Sequence, residues 1–180
     1  MREYLPRSWI HPVLVGGLSK IHGEGVFAAR AIACGEKLME FGGEKVTAAV
    51  LERGGWRECS VWLARDGFYL ALPDSDTEPS LDENLNHSCD PNAWISDDVT
   101  LAARRDIAAG EEITLDQGTW NFDDSAYTWD DSDCGCGARA CRKRLTENDW
   151  RLPAVQARYR GHFHPVVQAM IERATASEVA

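Results

Sequence analysis

A mostly β fold of short strands in irregular order, ending in a helical tail, is what the sequence predicts, on three observations. Short apolar runs recur at close spacing and stop at glycine or proline, the signature of strands and turns. Sustained helical spacing is confined to the C-terminal stretch. Neither an internal repeat nor a low-complexity linker divides the chain. In order, Pro12 to Leu18 reads as a strand running into Ser19-Lys20-Ile21-His22-Gly23-Glu24-Gly25, and Val26-Phe27-Ala28 resumes it. Ala31 to Glu36 is a turn before a strand from Lys37 to Phe41, and Val46 to Arg53 reads as a short helix. Gly67 to Leu72 is an apolar strand ended by Pro73. Asn86-His87-Ser88-Cys89-Asp90-Pro91-Asn92 is polar and turn-rich, with no pattern of strand or helix. Val99 to Ala103 is a further strand, closed by the turn Ala109-Gly110-Glu111, and Ile113-Thr114-Leu115 follows. Leu152 to Ala174, opened by Pro153, carries Val155, Tyr159, Phe163, Val166, Val167 and Met170 at helical spacing, interrupted at Gly161 and Pro165.

The 180 residues suit one domain with a sizeable core, or a domain with a small appendage. The formal charge of −10, from 29 acidic and 19 basic side chains, repels phosphate backbones and argues against direct nucleic-acid binding. Cationic partners are favoured instead. The acidity is also local: Asp123, Asp124, Asp130, Asp131 and Asp133 fall between Asn121 and Asp133 with Phe122, Tyr127 and Trp129 among them. That stretch reads either as a solvated loop or as a lip for a cationic substrate, where aromatic faces add cation–π attraction. No run approaches the roughly 20 apolar residues of a membrane helix. Met1 to Pro12 is mixed and charged, unlike a secretion signal. The expected setting is the reducing cytoplasm, where thiolates bind metal and do not pair.

Cysteine spacing carries the most specific chemistry. Cys134, Cys136 and Cys141 form a C-x-C-x4-C array with glycines at its turns, able to set three thiolates around one small cation. Tetrahedral zinc needs a fourth ligand, and Cys89 is the best remaining candidate. The competing reading is a set of reduced loop thiols. Cys34 and Cys59 lie outside the array and read as ordinary thiols.

Four segments occur in a telling order: Gly23-Glu24-Gly25-Val26-Phe27-Ala28, Glu40-Phe41-Gly42-Gly43-Glu44, Asn86 to Asn92, and Gly110-Glu111-Glu112-Ile113-Thr114-Leu115-Asp116. They resemble the successive motifs of the SET-domain methyltransferases, and the cysteine array followed by Arg142 resembles that family's post-SET zinc segment. The likeness covers roughly residues 15 to 150. It implies a fold of several small antiparallel sheets with a knot-like crossing at the Asn-His-Ser segment, short helices and a C-terminal helix. The implied organisation is an N-terminal segment (1–14), a SET domain (15–120), an acidic loop with the post-SET zinc segment (121–150) and a helical tail (151–180).

The resemblance further implies S-adenosylmethionine as methyl donor, one structural zinc, and most often a lysine ε-amine of a basic protein or peptide as acceptor. Donor contacts fall on His22, Gly23, Glu24, Gly25, Val26, Phe27, Asn86, His87 and, capping the adenine, Leu145. Zinc ligands fall on Cys89, Cys134, Cys136 and Cys141. The residues support this independently. Glycines at 23 and 25 admit a ligand close to the backbone, and the segment returns to a strand without opening a helix, unlike a dinucleotide loop. Read alone, those glycines would only make a hairpin turn. Four cysteines would close a zinc ion's coordination and leave no site for a reactive water. In the family a tyrosine usually follows the Leu-Asp pair; here Gln117 stands there, and Phe41 occupies a second common tyrosine position. Tyr127 or Tyr69 could supply the hydroxyl from elsewhere. Two alternatives therefore stay open: a SET-fold enzyme acting on a small cationic metabolite or using the donor for other chemistry, and a non-catalytic module that binds the donor or a peptide.

Overall fold

The computed structural model describes residues 2–57, 62–63, 68–122 and 132–178. Thirteen strands, none longer than five residues, account for the β structure among these. The first five are β1 (Trp9–Ile10), β2 (Leu14–Leu18), β3 (Glu24–Ala28), β4 (Lys37–Glu40) and β5 (Glu44–Thr47). After helix α1 (Ala48–Leu51) come β6 (Trp62–Leu63), β7 (Phe68–Ala71) and β8 (Asn86–His87). Then follow β9 (Ala93–Ile95), β10 (Thr100–Ala103), β11 (Glu112–Leu115), β12 (Ser132–Asp133) and β13 (Arg144–Leu145). The chain ends in α2 (Pro153–Arg158) and α3 (Pro165–Glu178). Single 3-10 turns stand at Leu81–Asn84, Gln117–Thr119 and Asp149–Arg151.

The strands form four small sheets, ordered β1-β4-β10-β9, β2-β3-β11-β8, β5-β7-β6 and β12-β13. All pairings are antiparallel except one. β8 lies parallel to β11, with Asn86 opposite Thr114 and His87 opposite Leu115. Parallel neighbours cannot be joined by a hairpin, so the intervening chain travels out through β9 and β10 and returns beside its own start. This is the expected knot-like crossing.

The buried side chains of the strands and C-terminal helices fall into two cores. Val26, Leu38, Met39, Ile95, Leu101 and Ile113 meet between the first two sheets. Val46, Phe122, Trp150, Tyr159, Phe163 and Val167 form a second cluster under the C-terminal helices. β7 joins the two, sending Leu70 into the first and Tyr69 and Ala71 into the second. Each such side chain contributes about 1.5–3 kcal/mol by leaving water.

Three expectations change. Asn86–His87 is a strand, because its pairing with β11 comes from chain far away and leaves no local pattern. Val46 belongs to β5, paired with Tyr69, and the helix shrinks to Ala48–Leu51. The tail is two helices: α2 stops at Arg158, Gly161 takes a left-handed φ of 81°, and Pro165 opens α3. No described helix is long and apolar enough to cross a membrane.

Candidate functional site

A cavity of about 640 Å³ opens where the crossing meets the cysteine segment. It falls within the size range of small-molecule sites, about 300–1,000 Å³. Its wall is made by the β2–β3 loop (Ile21 to Glu24), the segment from Glu83 to His87, and Gln117 just past β11; the far side is Ser132 to Cys136 with Leu145. Five separate stretches of chain therefore converge on one space. Glu24 and Asp133 give it negative charge, while Glu83 is paired with Arg57 at 2.5 Å.

The loop is held open in a defined shape. Gly23 takes a φ of 48°, unfavourable for other residues, and no atom lies within 4 Å of where a Cβ would sit. At Gly25 a Cβ would collide with the Glu112 side chain, so the glycine lets β3 pass against that carboxylate. The Asn86 amide ties these parts together, with Nδ2 in donor range of the carbonyls of His22 (3.1 Å) and Glu24 (2.9 Å) and of Glu112 Oε1 (2.8 Å). The Ser19 hydroxyl donates to Glu112 at 2.8 Å and accepts from the Ile21 backbone N–H at 2.9 Å.

Beside the cavity the thiols gather. One donor atom each from His87, Cys89, Cys134 and Cys136 all lie within 4.8 Å of one another. Cys141 joins Cys134 and Cys136 through side-chain contact. Backbone N–H groups point at the sulfurs: Cys89 at Cys136 (3.4 Å), Arg142 at Cys89 (3.3 Å) and Lys143 at Cys141 (3.3 Å). Lys143 takes a left-handed φ of 68° to deliver its N–H. The donor set fits a soft or borderline cation such as zinc. Burial raises the Cys89 thiol and pushes Cys134 up to about 11. Burial also opposes charge at Cys136, but the N–H groups of Cys89 and Ala138 and the neighbouring thiols outweigh it, bringing that group down to about 7.

His87 is turned by its partners. Its Nδ1 accepts the Gln117 N–H at 3.1 Å, so the ring proton sits on Nε2, which meets Cys89 Sγ at 3.3 Å as a donor. Burial lowers its pKa to about 4 and keeps the ring neutral, with Asp116 opposing that shift. Asp116, fully buried, accepts a two-pronged pair of bonds from Arg142 (2.6 and 2.7 Å). The same guanidinium donates from Nε to Asp149 at 2.8 Å. Burial works against the Arg142 charge, yet its bonds to Asp116 hold its pKa above the ordinary value.

Several expected residues meet here and others do not. His22, Gly23, Glu24, Asn86, His87, Leu145 and Gln117 all line the cavity, as do Cys134 and Cys136. Gly25 and Phe27 lie in β3 behind the wall, and Val26 is wholly buried in the first core. Phe41 is likewise a core residue beside Leu38 and Met39, away from the cavity. Tyr69 is buried in the second core. Tyr127, most of the acidic stretch and Cys59 lie outside the described residues; Cys34 is exposed and donates to the Arg104 carbonyl at 3.4 Å. Sequence reasoning passed over Glu83, Asn84, Glu112, Asp116 and Asp149. Glu112 and Asp116 had a signal in their place within the Gly110 to Asp116 motif; the rest are ordinary acidic or amide residues.

Comparison with known proteins follows the same segments. A family model described as SET domain matches residues 23–118. The putative histone-lysine N-methyltransferase ASHH4 of Arabidopsis thaliana is 31% identical over a match covering 68% of this chain and 36% of its own length. Histone-lysine N-methyltransferase trithorax of Drosophila virilis is 28% identical, covering 71% of this chain but 3% of its own length. The chain thus spans about a third or less of these relatives. The crystal structure of KRYPTONITE in complex with mCHG DNA and SAH superposes with a TM-score of 0.54 at 25% identity, covering 72% of this chain and 28% of that one. With the family match running from the glycine loop through β8 and β11 to the turn at Gly118, over more than half of its 180 residues, the chain belongs to the SET domain family.

Proposed function

We propose that this protein is an S-adenosylmethionine-dependent N-methyltransferase that modifies a lysine side chain of a basic protein or peptide. The observation that carries the reading is the convergence of the glycine loop, the Asn86–His87 crossing, Gln117 and the cysteine segment on one cavity of ligand size. Relatives named as histone-lysine N-methyltransferases support the same chemistry and a basic acceptor. The formal charge of −10 and the carboxylates of Glu24 and Asp133 at the cavity favour a cationic partner over a nucleic acid.

When bound, S-adenosylmethionine supplies an electrophilic methyl group on a sulfonium centre. The loop from His22 to Glu24 and the Asn86–His87 strand would hold it, Leu145 would cover its adenine, and the Glu24 and Asp133 carboxylates would suit its positive charge. Zinc would be held by Cys89, Cys134, Cys136 and Cys141, beside which His87 Nε2 lies 3.3 Å from the Cys89 sulfur. Its contribution would be to fold the C-terminal segment over the cavity. At the floor, Gln117 presents an amide where a tyrosine hydroxyl is usual in the family. Its carbonyl can accept from an amine and orient the lone pair, and orientation is where most of the barrier reduction for an in-line transfer lies. That same substitution favours a second reading, transfer to a small cationic amine.

The test is transfer of labelled methyl from the donor to histone peptides and to free amines, alongside calorimetric titration with S-adenosylhomocysteine. Label on the peptide lysine supports the first reading, and label on free amines alone supports the second. Absence of donor or product binding at millimolar concentration would overturn both.

A further inference from the structure

We propose that Arg142 is a positioning residue, transmitting the order of the cysteine cluster to the cavity floor at Gln117; for donor binding, this rests on the function proposed above. The geometry forms a closed circuit. The Arg142 N–H donates to Cys89 Sγ at 3.3 Å, and its guanidinium grips both oxygens of Asp116 at 2.6 and 2.7 Å. Asp116 shapes the next turn: its Oδ1 accepts from the Gly118 N–H at 3.0 Å and its carbonyl from the Thr119 hydroxyl at 2.7 Å. Gln117, the first residue of that turn, donates its N–H to His87 Nδ1 at 3.1 Å. His87 Nε2 returns to Cys89 Sγ at 3.3 Å. One sulfur thus anchors both ends of a chain of bonds that passes through the backbone of the residue lining the cavity.

The side chain's chemistry suits this task. Asp116 is fully buried, so its carboxylate needs a counter-charge in a fixed place. A planar guanidinium can satisfy both Asp116 oxygens and, through Nε, the Asp149 carboxylate at 2.8 Å at once. An ammonium keeps the charge but cannot hold that fork. Charge alone therefore keeps the fold while the alignment of Gln117 slackens.

The experiment compares wild type with Arg142→Lys in the full chain, by zinc content, melting temperature, amide hydrogen exchange and calorimetry with S-adenosylhomocysteine. The expected variant keeps about one zinc per chain and a melting temperature within a few degrees of wild type. Its Gln117 and Gly118 amides exchange at least about tenfold faster, and its Kd for the nucleotide rises about tenfold through the lost pre-organisation. Unchanged exchange at those amides overturns the inference. So does loss of zinc in the variant, which would make Arg142 a builder of the metal site, or faster exchange with an unchanged Kd. If wild type binds no nucleotide the proposed function fails, while the exchange arm still decides whether the circuit exists. Should Arg142→Lys not fold, Asp116→Asn keeps the side chain's shape, removes its charge and is read out identically.

Discussion

Replacing Asn86 by alanine removes the amide that ties the glycine loop to the crossing. Its Nδ2 carries two protons and faces three acceptors, two neutral carbonyls and one carboxylate oxygen. A neutral bond contributes about 0.5–1.5 kcal/mol net and one to a charged group about 1.5–3. Water reaches the carbonyls of His22 and Glu24 at the cavity edge and replaces part of that loss, so the value stays near the low end, about 2 kcal/mol. The Ser19 N–H to Gly23 carbonyl bond (2.9 Å) and the Ser19 hydroxyl bonds remain and keep the loop from melting outright. Since about 1.4 kcal/mol corresponds to a tenfold change, the ceiling on weakened nucleotide binding is roughly 30-fold. Part of the 2 kcal/mol will be absorbed in a loop that stays mostly closed, which sets an expected range of about 5- to 30-fold. Calorimetry with S-adenosylhomocysteine reads this directly, with metal analysis and melting temperature as controls. An unchanged Kd at full zinc content would refute the assignment of the loop as the donor's cradle.

Cys136→Ser removes a sulfur from the cluster; zinc content should fall well below one per chain and the C-terminal segment should become protease-sensitive, because metal binding and its folding are one process. Lys143→Gly should be neutral or stabilise by up to about 1 kcal/mol in a denaturant titration, since glycine reaches the left-handed φ of 68° without steric conflict; Lys143→Val should destabilise and reverse that order. Gln117→Tyr should raise turnover on a basic peptide if the acceptor is lysine, by adding a hydroxyl that orients the amine; if the acceptor is a small amine, native activity should drop without gain on peptide, as side-by-side assays of both acceptors will show.

Local periodicity revealed the longer strands well. β2, β3, β4, β7, β10 and β11 each fall where short apolar runs end at glycine, proline or charge. The two-residue strands were invisible for a physical reason: Asn86–His87 owes its conformation to β11 far along the chain, and Arg144–Leu145 to pairing with Ser132–Asp133 across the cysteine segment, not to their side chains. Val46 misled because an apolar residue before Ala48 and Ala49 has helical spacing, while its pairing with Tyr69 makes it strand. In the site, the glycines, Asn86, His87 and the cysteines were legible because their chemistry is rare at such spacing. Val26 and Phe27 came along with their motif, but Val26 points into the first core and Phe27, facing the opposite way, lies half-buried against Gly17, so neither lines the cavity. Arg142 was seen only as part of a cysteine motif; its clamp on Asp116 depends on a fold that brings residues 116 and 142 together.

The position of β11 has a bearing on how the chain assembles. It lies between β3 and β8, strands from residues 24–28 and 86–87, and it is the last member of its sheet to be made. During synthesis, which runs at about 5–20 residues per second, the β2–β3 hairpin and the Asn86 strand each wait with an open edge. Neither can recruit the other, because the strand that separates them has not yet emerged. When residues 112–115 arrive, both edges are covered in one event, and the glycine loop comes into register with the Asn86 strand, while the side of the cavity from Ser132 to Leu145 is still to be made. The cavity is therefore a late product of synthesis, and a nascent chain halted before Glu112 exposes two sticky edges in place of half a site.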